Sequence, residues 1–507
     1  MLQRELTKQK INEMKLNEVI KNIPCELISG SLQVDIKGIS EDSRKICPGW
    51  LFIARKGLKT NGHLFIDDAI GRGAVAVILT DKEFVISGDA VIVVMDLSPG
   101  NIGMIADNFY GALRCKLIGI TGTNGKTTTC YLARYFLEKA GVPTGIIGTV
   151  AYEFEGRSIP ARRTTPDIFE LNGLIRNMCD SGAEIVMMEV SSHALDQNRM
   201  GNLKYDVAIF TNLSRDHLDY HKTMEEYFSA KRKLFNKLKT EVSSAKSRAI
   251  ISLDDQWGKK LFGEIHEKNL RLITYSSDYK SKAMVKAENI IASTSGTSFD
   301  LIVDDNKIAC VEIPLIGHHN VSNCLAAMVI AHQFGADIDL MVKQAVNLSP
   351  VPGRLEFIQN NLGILVVVDY AHTDDALSKT LHCLKELKPK KLLLVFGCGG
   401  DRDKGKRAKM GEAAENYADY IVITNDNPRT ENPDEIIENI KSGMTENSAV
   451  IEKDRKKAVE IAIKNASEGD VVLIAGKGHE TYQEINLIYH HFDDREVARQ
   501  IIAELEK

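Results

Sequence analysis

Short, nearly unbroken apolar runs alternate along this chain with longer amphipathic stretches. Runs of strand length fall at Ala74 to Leu79, Ala90 to Met95, Lys116 to Thr121, Thr144 to Ile147, Ile185 to Val190, Asp206 to Thr211 and Arg248 to Ile251. Others follow at Ile364 to Asp369, Leu392 to Phe396, Tyr420 to Thr424 and Val471 to Ala475. Strands apolar on both faces belong to parallel sheets covered on both sides. The segments between them read as helices, with Lys126 to Lys139 the clearest. The last, Asp493 to Glu506, places Val497, Ile501 and Leu505 on one face. Strands that alternate with helices predict an α/β fold with helices on both sides of the sheet.

At 507 residues the chain is long enough for about three domains. We divide it at 1–101, 102–347 and 348–507, the last opening on the Pro/Gly-rich segment Leu348 to Gly353. Composition is ordinary for a globular protein, 44% hydrophobic and 26% charged. A net charge of −5 excludes a basic nucleic-acid footprint. The longest apolar runs, Lys391 to Phe396 and Asp470 to Ala475, are too short to span a bilayer. Nine scattered cysteines without a C-x-x-C pair point to reduced thiols. The polar start, Met1 to Glu5, lacks a signal-peptide core. A soluble cytoplasmic enzyme is expected.

Candidate chemistry lies where strands end. After Lys116 to Thr121 comes Gly122-Thr123-Asn124-Gly125-Lys126-Thr127-Thr128, opening a helix. Glycines let backbone approach phosphate, and the helix presents free N–H groups and a positive dipole end. Lys126 would reach the β/γ-phosphates and Thr127 would hold Mg²⁺. The common spacing is not met, because Ile120 stands where the first glycine belongs. Glu189 ends a second strand and is a candidate Mg²⁺ ligand. A third leads into Asn212 to His221, offering His217. Lys231 lies on an amphipathic helix beside Arg232 and Lys233, and periodicity does not separate the three.

Six motifs then occur in order. They are Thr121 to Thr128, Glu189 to His193, Asn212 to His217, Gly317-His318-His319-Asn320-Val321-Ser322-Asn323, Pro352 to Glu356 and Asp369-Tyr370-Ala371-His372-Thr373. In this the chain resembles the Mur ligases of peptidoglycan synthesis, over most of its length. The resemblance implies a small mixed α/β N-terminal domain for the UDP end of a UDP-muramyl substrate. A central P-loop ATPase domain with a parallel sheet and a Rossmann-like C-terminal domain complete it. It implies ATP, Mg²⁺ and a CO₂-derived carbamate on Lys231, in Tyr227-Phe228-Ser229-Ala230-Lys231. Thr127, Glu189, His217 and Lys231 would hold metal. Asn323, Arg354, Asp369 and His372 would contact nucleotide. Thr164, Thr165, Ser191, Gln197 and Arg199 would hold the muramyl peptide, and Ser43 its UDP part. A monomer acting on small molecules, without nucleic acid or membrane insertion, is expected.

The amino acid added is read from Asp426-Asn427-Pro428-Arg429, Arg402, and Gly476 to Glu480. The resemblance ties the Asp-Asn-Pro-Arg form to meso-2,6-diaminopimelate. Forked arginines suit a second carboxylate, and Glu480 would take the distal ammonium. A lysine substrate would leave Arg429 facing no anion. Against this, Arg429 could pair internally, with Glu431 as a candidate. Lanthionine would satisfy the same groups. A folylpolyglutamate-synthase-like ligase and a nucleotide-dependent switch are the rival functions.

Overall fold

The structure, a computed structural model, describes residues 13–57, 60–84, 89–239, 248–265, 270–446 and 449–507. The polar start at Met1 to Glu5 lies outside them. The chain forms two compact units, 1–119 with 142–208 and 233–247, and 120–141 with 209–232 and 248–507.

The first unit opens with a five-stranded sheet of β1 (Cys25–Ser29), β2 (Gly38–Ser40), β3 (Trp50–Ala54), β4 (Ala74–Leu79) and β5 (Val91–Met95), ordered β1-β5-β4-β3-β2. Only β1 runs antiparallel to its neighbour. Strand period sorts its side chains: Leu51, Ile53, Ala76 and Ile78 enter one core, Phe52, Ala54, Val77 and Leu79 the other. A second sheet is built from β6 (Lys116–Thr121), β7 (Thr144–Ile147), β8 (Ala151–Phe154), β9 (Arg157–Pro160), β10 (Ile185–Glu189) and β11 (Val207–Phe210), in the order β9-β8-β7-β10-β6-β11. Strands β6 and β11 pass midway into the second unit.

There the sheet continues β6-β11-β12-β13-β14-β15-β16, with β12 (Arg248–Ser252), β13 (Arg271–Ser276), β14 (Val285–Ser293), β15 (Gly296–Val303) and β16 (Asn306–Ile313). The last three form an antiparallel meander. The same unit holds a six-stranded sheet of β17 (Glu356–Ile358), β18 (Leu365–Asp369), β19 (Leu392–Phe396), β20 (Tyr420–Ile423), β21 (Val450–Ile451) and β22 (Val471–Ala475), ordered β17-β18-β22-β19-β20-β21. All neighbours but β17 and β18 are parallel. Leu392, Leu394 and Phe396 face one core and Leu393 and Val395 the other. A hairpin of β23 (Tyr482–Ile485) and β24 (Ile488–His491) follows.

Three expectations change. The sheets are not wholly parallel, since β8 with β9 and the β14–β16 meander are antiparallel. The final helix, Asp494–Leu505, buries Ala498, Ile501 and Ile502, whereas Leu505 at its end is 40% exposed. The thiols are not all reduced: Cys115 and Cys179, 64 residues apart, form a disulfide with Cα atoms 5.5 Å apart. The first leads into β6 and the second closes the helix Ile168–Asp180, so folding joins residues that share no spacing motif. Among the described residues no helix is long and apolar enough to cross a membrane.

A buried ion pair locks the C-terminal sheet. Arg455 donates to Asp494 from Nε and Nη2, both at 2.8 Å, and both side chains are fully buried. Nη2 also reaches Ala475 O at 2.9 Å, and Nη1 reaches Asn425 O at 3.3 Å. Arg455→Met leaves Asp494 unpaired, at an expected cost of about 3–5 kcal/mol. Thermal unfolding checks this, and Arg455→Met with Asp494→Leu should regain most of the loss.

Candidate active site

The phosphate loop takes its shape from the strand beside it. Gly122 has φ 152°, and a Cβ there would lie 1.9 Å from Thr211 Oγ1. Gly125 has φ 85°, and its Cβ would lie 2.3 Å from Asn323 Oδ1. Asn212 O accepts from Thr123 N at 2.9 Å, and Asn212 Oδ1 from Asn124 N at 3.0 Å. Thr211 Oγ1 donates to Asn124 O at 2.7 Å. Ile120, where the common pattern has glycine, is a fully buried residue of β6, so the turn starts two residues later. The helix Lys126–Lys139 begins immediately after Gly125, with Thr127 and Thr128 buried in its first turn. Gly125→Ala should raise the KM for ATP roughly tenfold or more through left-handed strain and displacement of Asn323. Initial-rate kinetics checks it.

Two lysines converge on one carbonyl. Lys126 Nζ donates to Gly122 O at 3.0 Å and Thr123 O at 2.7 Å. Lys231 Nζ donates to Gly122 O at 2.7 Å and lies 4.5 Å from the centre of the Tyr227 ring. Lys231 is 1% exposed, on the helix Met224–Arg232. Burial pushes its pKa well down, and Lys126 pushes it further against the opposing pull of Asp216. Arg232 is exposed and pairs with Glu264 at 2.7 Å. The fold therefore separates the lysine that periodicity left among three.

Asp216, within the Asn212 to His217 motif, is buried beside these groups. Burial raises its carboxyl, but His217, His372 and Lys406 outweigh that and hold it below the usual carboxylate range. His217 starts the helix Leu218–His221 in a left-handed conformation at φ 55°. Lys406 is buried and donates to His372 O at 2.6 Å. Arg354 Nη2 donates to Thr127 Oγ1 at 3.3 Å, with its guanidinium 4.5 Å from the Tyr370 ring centre. Asp369 has both oxygens on backbone, from Leu355 N at 2.7 Å and Ala371 N at 2.8 Å. It shapes the turn that carries Arg354.

In the first unit, fully buried Glu189 accepts from Thr149 N at 2.8 Å and Thr149 Oγ1 at 2.9 Å. Thr149 follows β7 and carries no motif. It lies 3.1 Å from Thr164 Oγ1. Thr165 Oγ1 donates to Glu189 O at 2.9 Å and accepts from Ser191 N at 3.1 Å. Arg199 donates to Thr165 O at 3.1 Å and to Gln197 Oε1 at 2.7 Å. Ser43 is buried and hydrogen-bonds Asp68. Three of the four predicted metal ligands, Thr127, His217 and Lys231, lie in the second unit, and Glu189 in the first. Among the described residues no three His, Cys, Asp or Glu gather as a metal site.

The turns predicted to read the amino acid meet at the carboxyl edge of the six-stranded sheet. Asp426 is buried, and a Cβ on Gly476 would lie 2.6 Å from its Oδ2. Glu480 Oε2 accepts from Asn427 Nδ2 at 2.9 Å and Lys477 Nζ at 3.0 Å. Pro428 is buried, and Arg402 is exposed with Nη1 on Asp401 O at 3.2 Å. Arg429 is paired, but not with Glu431. Its Nε donates to Glu484 Oε2 at 2.9 Å, while Glu431 takes the fully buried Arg407 at 2.9 Å. An unliganded Arg429 is thus already neutralised. Contrary to the sequence-based expectation, a lysine substrate would not strand a bare charge there.

Comparison with known proteins adds to this geometry. Three sequence profiles match: Mur ligase family, catalytic domain, at 35–106; Mur ligase middle domain at 120–331; and Mur ligase, glutamate ligase domain at 353–478. The chain belongs to the Mur ligase family. It is 40% identical over 498 residues to the UDP-N-acetylmuramoyl-L-alanyl-D-glutamate–2,6-diaminopimelate ligase of Caldanaerobacter subterraneus subsp. tengcongensis, covering 97% of this chain and all of that one. It is 41% identical over 499 residues to the ligase of the same name from Geobacillus thermodenitrificans, with the same coverage. A solved structure of a ligase of that name superposes with a TM-score of 0.67 at 34% identity, covering 98% of this chain and all of that one. The mixed α/β architecture and in-order motifs are thus those of a three-domain Mur ligase. Within this Mur ligase the residues that sequence reasoning missed are Thr149, Lys406, Arg455 and Glu484. Thr149 follows β7 and Glu484 lies in β23 shortly after Glu480, signals that could have found them. Lys406 ends the short helical turn Lys404–Lys406 and Arg455 opens the helix Arg455–Asn465, both away from any quoted motif.

Proposed function

We propose that this protein is an ATP-dependent amide ligase that adds meso-2,6-diaminopimelate to the D-glutamate of UDP-N-acetylmuramoyl-L-alanyl-D-glutamate in peptidoglycan precursor synthesis. Identity near 40% to ligases of that name, over 97% of this chain and all of each relative, carries this reading. The Asp426 to Arg429 turn with Glu480 supports the amino acid. Residues 1–101 would bind the UDP-muramyl end through Ser43, 102–347 would bind ATP, and 348–507 the amino acid. The enzyme would act as a cytoplasmic monomer.

The D-glutamyl carboxylate attacks the γ-phosphate of ATP, giving an acyl phosphate and ADP. The substrate amine then attacks the acyl carbon and phosphate leaves. Two anions meet in the first step, so positive charge must be supplied. Lys126 swings from its own loop carbonyls to the phosphates, and loop N–H groups receive them. Thr164, Thr165, Ser191, Gln197 and Arg199 hold the muramyl peptide, and Asn323, Arg354 and His372 the nucleotide.

Thr127, Glu189, His217 and Lys231 would hold Mg²⁺, which when bound neutralises phosphate charge. A bare ammonium at Lys231 would repel it, and a carbamate oxygen would not. Burial disfavours the ammonium of Lys231 and so favours the free amine, the form that adds CO₂ with loss of one proton. Activity after CO₂ depletion should therefore rise several-fold with added bicarbonate, and the gain should grow with pH as more amine is free. A bicarbonate titration at two pH values checks this.

ADP release tests the whole reading. It should require both the muramyl dipeptide and diaminopimelate. Release with nucleotide alone would favour a switch, and release with a folate substrate the folylpolyglutamate-synthase alternative.

A further inference from the structure

Glu484 plays no part in the chemistry above, yet it holds the arginine on which specificity rests. Arg429 sits at φ 53°, a conformation that is strained for a residue with a Cβ and persists only where neighbours enforce it. Strand β23 enforces it. Arg429 N donates to Glu484 O at 3.0 Å, and Asn486 N donates to Arg429 O at 2.8 Å. Glu484 N donates to Asn427 Oδ1 at 2.9 Å, and Gln483 Nε2 to Asp426 O at 2.8 Å. Three of the four residues of the Asp426 to Arg429 turn therefore hang on this hairpin.

The side chains repeat the arrangement. Arg429 gives Nε to Glu484 Oε2 at 2.9 Å and Nη1 to Gly400 O at 2.6 Å, with the two side chains only 15% and 12% exposed. These bonds pin both ends of a planar guanidinium. Nη2 has no protein acceptor among the described residues. A guanidinium fixed at Nε and Nη1 keeps one nitrogen presented in a set direction.

We propose that Glu484 is a positioning residue for amino-acid selection, orienting Arg429 so that Nη2 meets the distal carboxylate of the incoming diamino diacid. This rests on Arg429 being the carboxylate partner. Losing the ion pair frees the side chain, and substrate binding must then also order it. The alternative, that Glu484 is displaced by the substrate carboxylate, predicts the opposite sign.

The test is steady-state kinetics of the full-length enzyme and its E484A, E484Q and R429A variants, with diaminopimelate, lysine and ATP each varied. E484A should raise the KM for diaminopimelate by about tenfold to a hundredfold, the effect of one charge-assisted hydrogen bond. It should lower the preference for diaminopimelate over lysine and leave the KM for ATP unchanged. E484Q, which keeps an acceptor for Nε, should stay within about threefold of the parent. An unchanged or lowered KM in E484A, beside a raised one in R429A, overturns the role of Glu484 and leaves Arg429 standing. A rise in E484A that the ATP KM shares also overturns it, because that marks general damage. An unchanged KM in R429A overturns the Arg429 assignment itself and the Glu484 role with it.

Discussion

Lys231→Ala should cut ligase activity by about three orders of magnitude, and added formate or acetate should return part of it. Lys231 is fully buried, bonded to Gly122 O, and shares that carbonyl with Lys126. Removing it as an amine or ammonium leaves no anionic oxygen to replace, so formate or acetate would restore nothing. Removing it as a carbamate deletes an anionic oxygen beside the phosphate loop, which a small carboxylate in the vacated space can replace. The two states therefore differ in whether a small carboxylate rescues activity, and single-turnover ADP formation with and without formate reads them. Full activity in the alanine variant would rule out the carbamate.

Arg429→Ala should raise the KM for diaminopimelate by about two orders of magnitude while the KM for ATP stays level. The size is that of one charge-assisted hydrogen bond to the substrate, plus repulsion between its carboxylate and Glu484, which loses its cation in this variant. Because Glu484 already neutralises Arg429 in the empty site, discrimination against lysine comes only from the carboxylate that lysine lacks. It should be correspondingly smaller than a stranded charge would give. Unchanged diaminopimelate kinetics would rule out the turn as the source of specificity.

Strands buried on both faces were legible as continuous apolar runs, so β6, β7, β19 and β22 appear where periodicity places them. The meander β14–β16 was not, because its outer strands β14 and β16 are mostly half-buried or exposed and mix polar with apolar residues, although β15 between them is mostly buried. The phosphate loop was legible from its glycines and the lysine that follows, although Ile120 breaks the common spacing. Lys231 was not separable on a helical wheel from Arg232 and Lys233, since what distinguishes it is contact with Tyr227 and Gly122, the latter 109 residues away. The partner of Arg429 was equally hidden. Glu431 stood two residues off, but Arg407 claims it, and the acceptor comes from a hairpin 55 residues on. Local sequence orders motifs along the chain, while the pairing of charges is decided by which strand ends meet.

The most direct measurement is product mass from one reaction. UDP-N-acetylmuramoyl-L-alanyl-D-glutamate and ATP are mixed with equal diaminopimelate, lysine and lanthionine. The expected product is a UDP-muramyl tripeptide carrying a diamino diacid, diaminopimelate foremost, with one ADP per amide formed. A tripeptide carrying chiefly lysine, or ADP release without amide, would contradict it.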